Sequence, residues 1–413
     1  MSLEWSEDIE LGLLRRFRRD LHKIPELDFE LLRTIAYVEG VLSELSCEIV
    51  HPCHGCVVAV FDMRGSAAEG PLEGPATAIR ADMDALPIVE KTGVSFCSEH
   101  AGCMHACGHD SHMAMALTAA TWVDRMLREQ PGILPRNVLF VFQPAEETTG
   151  GAKVVCESGV FERYQVDRIF GFHVWPDLPA GTVSSCPGPL LARSSETHIV
   201  ISGASTHIAK TYGVDDAHSQ DAMLAAARFI VRERELMARL GAEEPCIGKF
   251  GQLNAGTVCN AVAGEAKIAG SLRVFSEEMF VRAKRELEDL LRICCEECGC
   301  TYMIDFAEGY PPVRNDAKLF CLAQAALHAS SSAPSISVVA EPLLIAEDFA
   351  FYQQHLPGVF FLLGVGEPHD ASPFEDDGVQ PYATSALHTD TFMFDERNLL
   401  PGVAAYRELL QQP

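Results

Sequence analysis

The first segment with chemical potential is an apolar stretch that ends in two carboxylates. In RADMDALP, Asp82 and Asp84 are separated by a single residue. Side chains at positions i and i+2 of an extended chain point to the same side, so both carboxylates can face one site. Two aspartates at a strand end are also a feature of ordinary turns. The segment therefore indicates chemistry only in combination with others.

A second segment, MHACGHDSH at residues 104–112, combines three histidines, a cysteine and an aspartate. Packing alone does not explain this composition, because imidazole and thiolate groups are ligands that transition metals prefer. Some of these side chains must support others rather than bind metal. A metal-binding histidine usually donates its second ring nitrogen to a carboxylate or carbonyl, and Asp84 and Asp110 are candidates for that role.

A third segment places two glutamates side by side after an apolar stretch, in FQPAEETTGG. Neighbouring carboxylates repel each other at a buried strand end unless a cation lies close to them. One member of the pair Glu146 and Glu147 can then bind metal while the other takes a proton from a metal-bound water. In isolation the segment would be interpreted as a solvated acidic turn.

Two further histidines lie outside these segments, His173 in GFHVWP and His388 in LHTDTF. A single histidine at the end of an apolar strand is more often a satisfied core residue than a ligand. His388, near the C-terminus, is a weak candidate when taken alone. Open α/β sheets build their sites at the carboxyl ends of strands, so these segments can converge if the fold is of that class.

The elements that must position these segments alternate between strand and helix. A helix starts at Ser6 and stops before Pro25. The strands predicted in this half of the chain are Val57–Phe61, Thr77–Ala81, Val138–Phe142 and Asp167–Phe172, and the other helices are Phe29–Leu45, Ser111–Arg128 and Ala152–Ser158. This alternation predicts an α/β sandwich.

From about Leu190 the order of elements changes to β-α-β-β-α-β, which is typical of a ferredoxin-like α+β unit. The α/β pattern resumes with a helix near Ala317–His328 and a strand at Gly358–Leu363. A chain of 413 residues also exceeds the size at which one hydrophobic core usually stops growing. We therefore predict a large α/β catalytic domain from residues 1–189 and 307–413, with a ferredoxin-like domain inserted at 190–306.

The composition restricts the possible partners. Hydrophobic residues make up 48% of the chain, and 32 basic against 58 acidic side chains give a formal net charge of −26. This charge disfavours binding to nucleic acid and to anionic membranes. No apolar run approaches the ~20 residues that a membrane helix requires, and no signal peptide pattern begins the sequence. We expect a cytoplasmic protein with no nucleic-acid or membrane partner.

The sequence contains fifteen cysteines. An odd count without a secretion signal predicts reduced thiols rather than a disulfide framework. The cluster at residues 294–300 admits a structural zinc site, but no second CxxC pair at zinc-ribbon spacing accompanies it. Cys53 and Cys56 form a CxxC motif without the βαβ context of a redox motif, and we interpret it as a loop.

Taken together, the motifs resemble those of the hippurate hydrolase and auxin-conjugate amidohydrolase group, within the aminoacylase and carboxypeptidase superfamily of two-metal hydrolases. In chain order they are RADMDALPI, MHACGHDSH, FQPAEETTGGAK, GFHVWP, GASTHIA, TVCNAVAGEAKIAGSLR, AEDFAFY and LHTDTFMFDER. Such a series is specific for fold and metal site and much less specific for substrate. The resemblance implies cleavage of the amide bond of a small N-acyl amino acid or similar conjugate. The metal ligands it implies are Cys107, His109, Glu147, His173 and His388.

The resemblance also implies two divalent metal ions per subunit, among which the sequence leaves Zn, Mn, Co and Ni open. Glu146 is then the general base and acid. His207 is expected to help polarise the scissile carbonyl from a partner subunit, and Asn260 and Arg273 are expected to hold the substrate carboxylate. The inserted domain is expected to close over the substrate and to support a homodimer or a higher homo-oligomer.

One segment departs from the family pattern. After His207 the chain reads IAKTYGVDD, where the family has a Pro-His pair and a Gly-Val-Asp-Pro turn. Acyl-group selection therefore stays open, and Lys210 and Tyr212 are candidates for contact with an unusual substrate.

Two alternative functions stay open. The first is a dipeptidase or carboxypeptidase that uses the same two-metal site. The second is a catalytically silent metal-binding scaffold, against which the retained Glu146 argues because such a protein needs no base beside its ligands.

Overall fold

The computed structural model describes residues 5–65, 70, 72–148, 150–366 and 385–413. Its contacts divide the chain into two compact units. The larger unit comprises Met1–Leu190, Arg314–Glu341 and Asp348–Pro413, and the smaller unit comprises Leu191–Val313 and Pro342–Glu347. No described helix is both long enough and apolar enough to cross a bilayer.

The strands, in chain order, are β1 Glu48–Val50, β2 Val57–Phe61, β3 Ala76–Asp82, β4 Asn137–Gln143, β5 Val166–Pro179, β6 Val183–Ser185, β7 Gly188–Leu191, β8 Arg193–Ser202, β9 Ile247–Ala255, β10 Glu265–Val274, β11 Thr301–Glu308, β12 Val313–Asn315, β13 Ile336–Val338 and β14 Gly358–Gly366.

The α-helices are α1 Glu7–His22, α2 Leu32–Leu42, α3 His109–Glu129, α4 Gly151–Glu157, α5 Val160–Arg163, α6 Ala222–Gly241, α7 Glu277–Glu296, α8 Ala317–Ala329, α9 Tyr352–His355 and α10 Leu400–Leu410. Short 3-10 helices cover Ile208–Thr211, Asp216–His218, Asp348–Phe351 and Glu396–Leu399.

The larger unit is built on one mixed sheet of order β1-β2-β4-β3-β5-β14-β6-β13. Its central strands β4, β3, β5 and β14 are parallel, while β2 runs antiparallel to β4. Strands β2, β3 and β4 are buried along their whole length, as expected for a sheet covered on both faces. This architecture confirms the predicted α/β class.

Helix α3 is central to the larger unit because it packs against α1 and α10 and also lies on the sheet. Nearly all of its first four turns are buried, including the polar residues that begin it. The helix starts at His109, two residues before the predicted start at Ser111. The predicted ligand segment therefore enters the core of the protein at the point where the helix begins.

The smaller unit is an antiparallel sheet of order β11-β8-β10-β9. Helices α6 and α7 pack on each other and on the sheet, α6 against β9 and α7 against β11. Alternate residues of β8 are buried, so one face of the sheet meets the helices. The elements follow one another in the order β-α-β-β-α-β.

All fifteen cysteines are free thiols. Among the described residues, no group of three ligands within metal-binding distance includes a cysteine of the 294–300 cluster. Most of these sulfurs are buried in the core of the smaller unit. The zinc alternative for this cluster has no support in the structure.

The interior of the large sheet contains a fully buried arginine. The Arg80 guanidinium lies 2.7 Å from Asp82 and 2.8 Å from Asp348. It also donates a hydrogen bond of 2.8 Å to the Gln143 side chain. Its positive charge compensates two carboxylates that water does not reach.

We predict that Arg80→Met lowers the free energy of unfolding by about 3–5 kcal/mol, because it leaves two buried carboxylates without a counter-charge. The matched control is Arg292→Met, which removes an exposed arginine from pairs with Asp289 and Glu296 and is expected to change stability little, because water screens exposed ion pairs. Urea unfolding followed by circular dichroism measures both. Equal midpoints for the two variants would contradict the prediction.

Candidate metal centre

The predicted ligand segments meet at one edge of the large sheet. Strands β3 and β4 are parallel neighbours and end together, with Asp82 opposite Gln143. The loops that follow them carry Asp84 and the two glutamates. His173 lies on the adjacent strand β5. The common strand direction therefore brings these parts of the chain together.

Gly108 fixes the loop that precedes α3 against β5. Its φ of 90° lies in the left-handed region, where an L side chain is strained. A Cβ atom at this position would lie 2.5 Å from Cγ2 of Val174. Only glycine lets this backbone approach the strand closely, and it places Cys107 and His109 on either side of the contact.

Five donor atoms converge at this edge. The Cys107 sulfur lies 3.3 Å from Nε2 of His173 and 3.3 Å from Nε2 of His388. Glu147 Oε1 lies 3.3 Å from Nε2 of His388 and 3.8 Å from Nε2 of His109. The donors form two groups that share the thiol: Cys107 with His109 and His173, and Cys107 with Glu147 and His388.

The second nitrogens of two histidines are held by main-chain oxygens. His109 Nδ1 lies 2.8 Å from the carbonyl oxygen of Asp84, and His173 Nδ1 lies 2.7 Å from that of Val174. Each contact turns the Nε2 atom of the ring toward the centre. Nε2 of His109 and Oε1 of Glu147 are buried without a hydrogen-bond partner. Buried polar atoms of this kind are costly unless something binds them, and a cation fits both.

The Asp84 carboxylate has a different role from the one expected. Its two oxygens accept hydrogen bonds of 3.0 Å from the backbone N–H groups of Glu146 and Glu147. The preceding Ala145 has a φ of 54°, a strained conformation for a residue with a side chain. Asp84 thus fixes the main chain of the glutamate pair, while its carbonyl oxygen orients His109.

His112 and Asp82 lie beside His109, but their side-chain nitrogen and oxygen atoms already have partners within the protein. His112 Nδ1 is 2.6 Å from Asp82 Oδ1, and its Nε2 accepts a hydrogen bond from the Val174 N–H. The other Asp82 oxygen binds Arg80. These two residues therefore support the neighbouring strand and helix, although they are close enough to His109 to form a third candidate group.

The electrostatics of the centre favour a cation. Burial by itself lowers the pKa of His109, but the carboxylates of Asp82, Asp84 and Glu147 outweigh it and raise the value to about 10. Burial raises the pKa of the Cys107 thiol well above 9, and Glu147 and Glu146 raise it further. Burial is the main cause that lowers the pKa of His173 from 6.5 to about 3. The centre therefore offers a neutral imidazole and stabilises added positive charge.

His388 reaches the centre from a loop with strained backbone. Its φ is 61°, and its N–H donates a hydrogen bond of 2.8 Å to the Ala106 carbonyl. Asp390 accepts a main-chain hydrogen bond from Lys91 and forms a salt bridge of 2.7 Å with the Lys91 ammonium group. These contacts attach the last predicted ligand to the segment that precedes α3.

Asp110 contacts His22 and Arg18 rather than a predicted metal-binding histidine, in contrast to the expectation. Its carboxylate lies 2.8 Å from Nδ1 of His22 and 3.4 Å from the Arg18 guanidinium. Nε2 of His22 lies 3.3 Å from Glu90. Sequence patterns gave no signal for His22, because its partners are distant in the chain. The contact ties the start of α3 to the end of α1.

The predicted substrate residues belong to the smaller unit. His207 precedes a 3-10 helix, where its Nδ1 accepts the Ala209 N–H. The next residue, Ile208, donates a hydrogen bond of 3.1 Å to the Asn260 carbonyl, so the two predicted residues are neighbours. Arg273 lies on β10 and donates to the Ser271 hydroxyl. Among the described carboxylates, none forms an ion pair with Arg273.

Comparison with known proteins gives a consistent assignment. Residues 78–412 match Peptidase family M20/M25/M40. A probable hydrolase of Synechocystis sp. is 34% identical over 395 residues, covering 95% of this chain and 93% of that protein. An N-acetyldiaminopimelate deacetylase of Lactobacillus acidophilus is 32% identical over 409 residues, covering 96% and 97%. A Bacillus subtilis structure described as a dinuclear metal binding peptidase from the M20 family is 30% identical, with a TM-score of 0.77 and 98% of both chains covered.

We predict that Gly108→Ala lowers both stability and metal content. Gly102 provides a matched control, because its φ of 86° is similar but a Cβ there would meet nothing within 4 Å. Gly102→Ala should cost about 1–2 kcal/mol, the strain of a left-handed L residue. Gly108→Ala adds the clash with Val174 and displaces Cys107 and His109. Metal analysis and urea unfolding that fail to separate the two variants would contradict this prediction.

The buried His22 also predicts a pH dependence of stability. Burial lowers its pKa, but Asp110 and Glu90 raise it from 6.5 to about 9. Because the pKa of His22 is higher in the folded state than in the unfolded chain, protonated His22 stabilises the fold. This stabilisation is complete below about pH 6.5 and is lost as the pH rises through about 9. The free energy of unfolding should therefore fall by roughly 3 kcal/mol more in the wild type than in His22→Gln across this interval. Parallel pH profiles of the two proteins would refute this role for His22.

Proposed function

The chain belongs to peptidase family M20/M25/M40, and from that premise we propose that it removes the acyl group from small N-acyl amino acids by metal-assisted hydrolysis. Members of this family hydrolyse amide bonds, and the chain is such a hydrolase. This proposal rests on the convergence of five predicted metal ligands beside one further carboxylate, Glu146. The five are Cys107, His109, Glu147, His173 and His388.

The donor set suits a pair of divalent cations. One thiolate, three imidazoles and one carboxylate are ligands for Zn, Mn, Co or Ni, and the metal is left open among these four. Cys107 belongs to both donor groups, so its thiolate would hold metal together with His109 and His173 and together with Glu147 and His388. When bound, the ions acidify a water molecule and polarise the scissile carbonyl. The dinuclear metal binding described for the Bacillus subtilis relative supports this reading.

Glu146 is the group that moves the proton. Its main chain is held through its N–H by Asp84, next to the ligand Glu147. Its carboxylate lies 4.0 Å from Nε2 of His109, at the edge of the donor set. From this position it takes a proton from the attacking water and delivers it to the nitrogen of the leaving amine. Glu147 holds metal and has no part in this transfer.

Arg273 and the names of the relatives support the proposed substrate class. Burial lowers the pKa of Arg273, and a half-buried guanidinium without an acidic partner among the described residues is suited to grip a carboxylate. With Asn260 and His207 it forms the substrate-binding set that the sequence motifs imply. The deacetylase names of the bacterial relatives support a short acyl group on an amino acid.

We predict that Glu146→Gln lowers kcat by about 10²–10⁴ and leaves the metal content unchanged, because only the proton acceptor is removed. Glu147→Gln is the matched control one residue away, and it should lose metal together with activity. Initial rates with N-acetyl amino acids and metal analysis of the same samples measure both effects. A Glu146→Gln enzyme with wild-type kcat would eliminate the proposed proton transfer.

We predict that N-acetyl and N-benzoyl amino acids and N-acetyldiaminopimelate are hydrolysed, while free dipeptides are not. Removal of the α-carboxylate from a good substrate should raise KM in the wild type and have little effect in Arg273→Met. A screen that finds dipeptides to be the better substrates would instead support the dipeptidase alternative.

The role of His207 predicts complementation between inactive subunits. We expect Glu146→Gln and His207→Ala homodimers to be inactive separately and to regain activity after subunit exchange, because one mixed site then has both residues intact. Two preparations of Glu146→Gln mixed in the same way serve as the control. Absence of regained activity in demonstrably mixed dimers would show that His207 does not act across subunits.

A further inference from the structure

The CxxC motif forms a tight turn directly before β2. Cys56 donates its backbone N–H to the carbonyl of Cys53 at 3.3 Å. Gly55 has a φ of 78°, which suits the third position of a type II turn. In such a turn the Cα atoms of the first and fourth residues lie within ~7 Å, and disulfides require about 4.4–6.8 Å. The backbone therefore brings the two cysteines near bonding range, and a further closure of the turn completes the approach.

The two thiols differ in a way that suits an attacking and a resolving cysteine. Cys53 is partly exposed, while Cys56 is buried. The Cys56 thiol donates a hydrogen bond to the Cys53 sulfur and lowers the pKa of Cys53. Burial raises the pKa of Cys56 well above its usual value. Cys53 is therefore the thiolate that meets an oxidant from solution, and Cys56 is protected until an internal partner appears.

The turn is in contact with the loop that carries Glu146. A Cβ atom on Gly55 would lie 3.1 Å from Cβ of Pro144 and 3.2 Å from the Phe29 carbonyl. The strand that follows the turn pairs Val57 with Phe142, so the chain leaving β4 runs beside the cysteines. On the far side of the loop, Thr148 donates its hydroxyl hydrogen to Asp28. The turn and the segment before α2 thus enclose the glutamate loop.

We propose that Cys53 and Cys56 form a reversible disulfide that regulates the centre through the contact between Gly55 and Pro144. The regulatory part rests on the proposed function, whereas the dithiol itself does not. The oxidant is a low-molecular-weight disulfide such as oxidised glutathione.

The redox step balances without a further reagent. The Cys53 thiolate attacks one sulfur of the small disulfide and releases one small thiolate, which leaves a mixed disulfide on Cys53. Cys56 then loses its proton, and its thiolate attacks the Cys53 sulfur and releases the second small thiol. Two protein thiols are oxidised and one small disulfide is reduced to two thiols. Excess small thiol reverses both exchanges.

Disulfide formation changes the shape of the turn. The bonded sulfurs are about 2.05 Å apart, much closer than two thiols in a hydrogen bond, so Cys53 and Cys56 must approach each other. A Cβ atom on Gly55 would lie only 3.1 Å from Cβ of Pro144, so little space separates the turn from this proline and a rotation of the Gly55 peptide shifts Pro144. The displacement passes along Ala145 to Glu146, whose position determines the proton transfer.

The test uses the full-length, metal-loaded protein equilibrated with reduced and oxidised glutathione. Peptide mass mapping should show the loss of two hydrogen atoms from the Cys53–Cys56 peptide. The kcat should fall roughly 10-fold or more, because a misplacement of about 1 Å in a catalytic group costs on the order of 100-fold. Reduced glutathione should restore it.

Cys53→Ser and Cys56→Ser should remove this response, and Cys56→Ser should accumulate the mixed disulfide on Cys53. Cys321→Ser, which removes an exposed thiol on α8, should respond like the wild type.

Three results would overturn the proposal. The first is the absence of the Cys53–Cys56 disulfide at an oxidising ratio that modifies Cys321. The second is a disulfide that forms without a change in kcat. The third is an equal loss of kcat in Cys53→Ser with loss of metal, which would place the oxidation at Cys107.

If the reduced enzyme hydrolyses no N-acyl amino acid, the proposed function fails separately. Hydrogen exchange of residues 142–148 then decides the coupling, since the disulfide must change it in the wild type and not in Cys53→Ser.

Discussion

The constraint on which the structure depends is the burial of several acidic groups at one edge of the large sheet. Asp82 and Asp84 are fully buried, and Glu146 is 7% exposed. Carboxylates removed from water need hydrogen bonds and opposite charge. Asp84 is satisfied by two backbone N–H groups and Asp82 by Arg80 and His112. The protein thus supplies partners for the buried carboxylates of Asp82 and Asp84 itself. It leaves the other donor atoms of the centre available to a cation.

This division between satisfied and unsatisfied donor atoms distinguishes the proposed metal ligands from the residues that support them. His109 and His112 are both buried histidines on the first turn of α3, and distance alone places each beside Asp82. Both ring nitrogens of His112 already have partners, whereas Nε2 of His109 has none. A metal at His112 would have to break two hydrogen bonds, while a metal at His109 satisfies a buried atom. The same reasoning extends to Glu147, whose buried Oε1 faces Nε2 of His388, itself a proposed ligand, at 3.3 Å.

Much of the fold was predictable from the sequence because it depends on local patterns. Apolar runs fixed β3, β4 and β14 to within a few residues, and the strand-end rule placed Asp84 and Glu146 at one edge. Long-range pairing left no such pattern. The ion pair of Arg80 with Asp348 joins residues far apart in the chain, and His22 meets Asp110 only because α1 packs on α3. The sequence predicted that Asp84 supports a metal-binding histidine. It could not show whether the carboxylate or the main-chain carbonyl makes the contact with His109, since both belong to one residue.

The loops that carry Glu146 and His388 have a strained backbone. Ala145 and His388 have positive φ angles, and such conformations persist only where surrounding contacts impose them. At Ala145 those contacts are the Asp84 carboxylate, the Asp28 link through Thr148 and the packing of Gly55 on Pro144. The position of Glu146 is therefore set by segments outside the centre. With Glu146 as the proposed base, a change in any of these supports would alter the proton transfer without touching a proposed metal ligand.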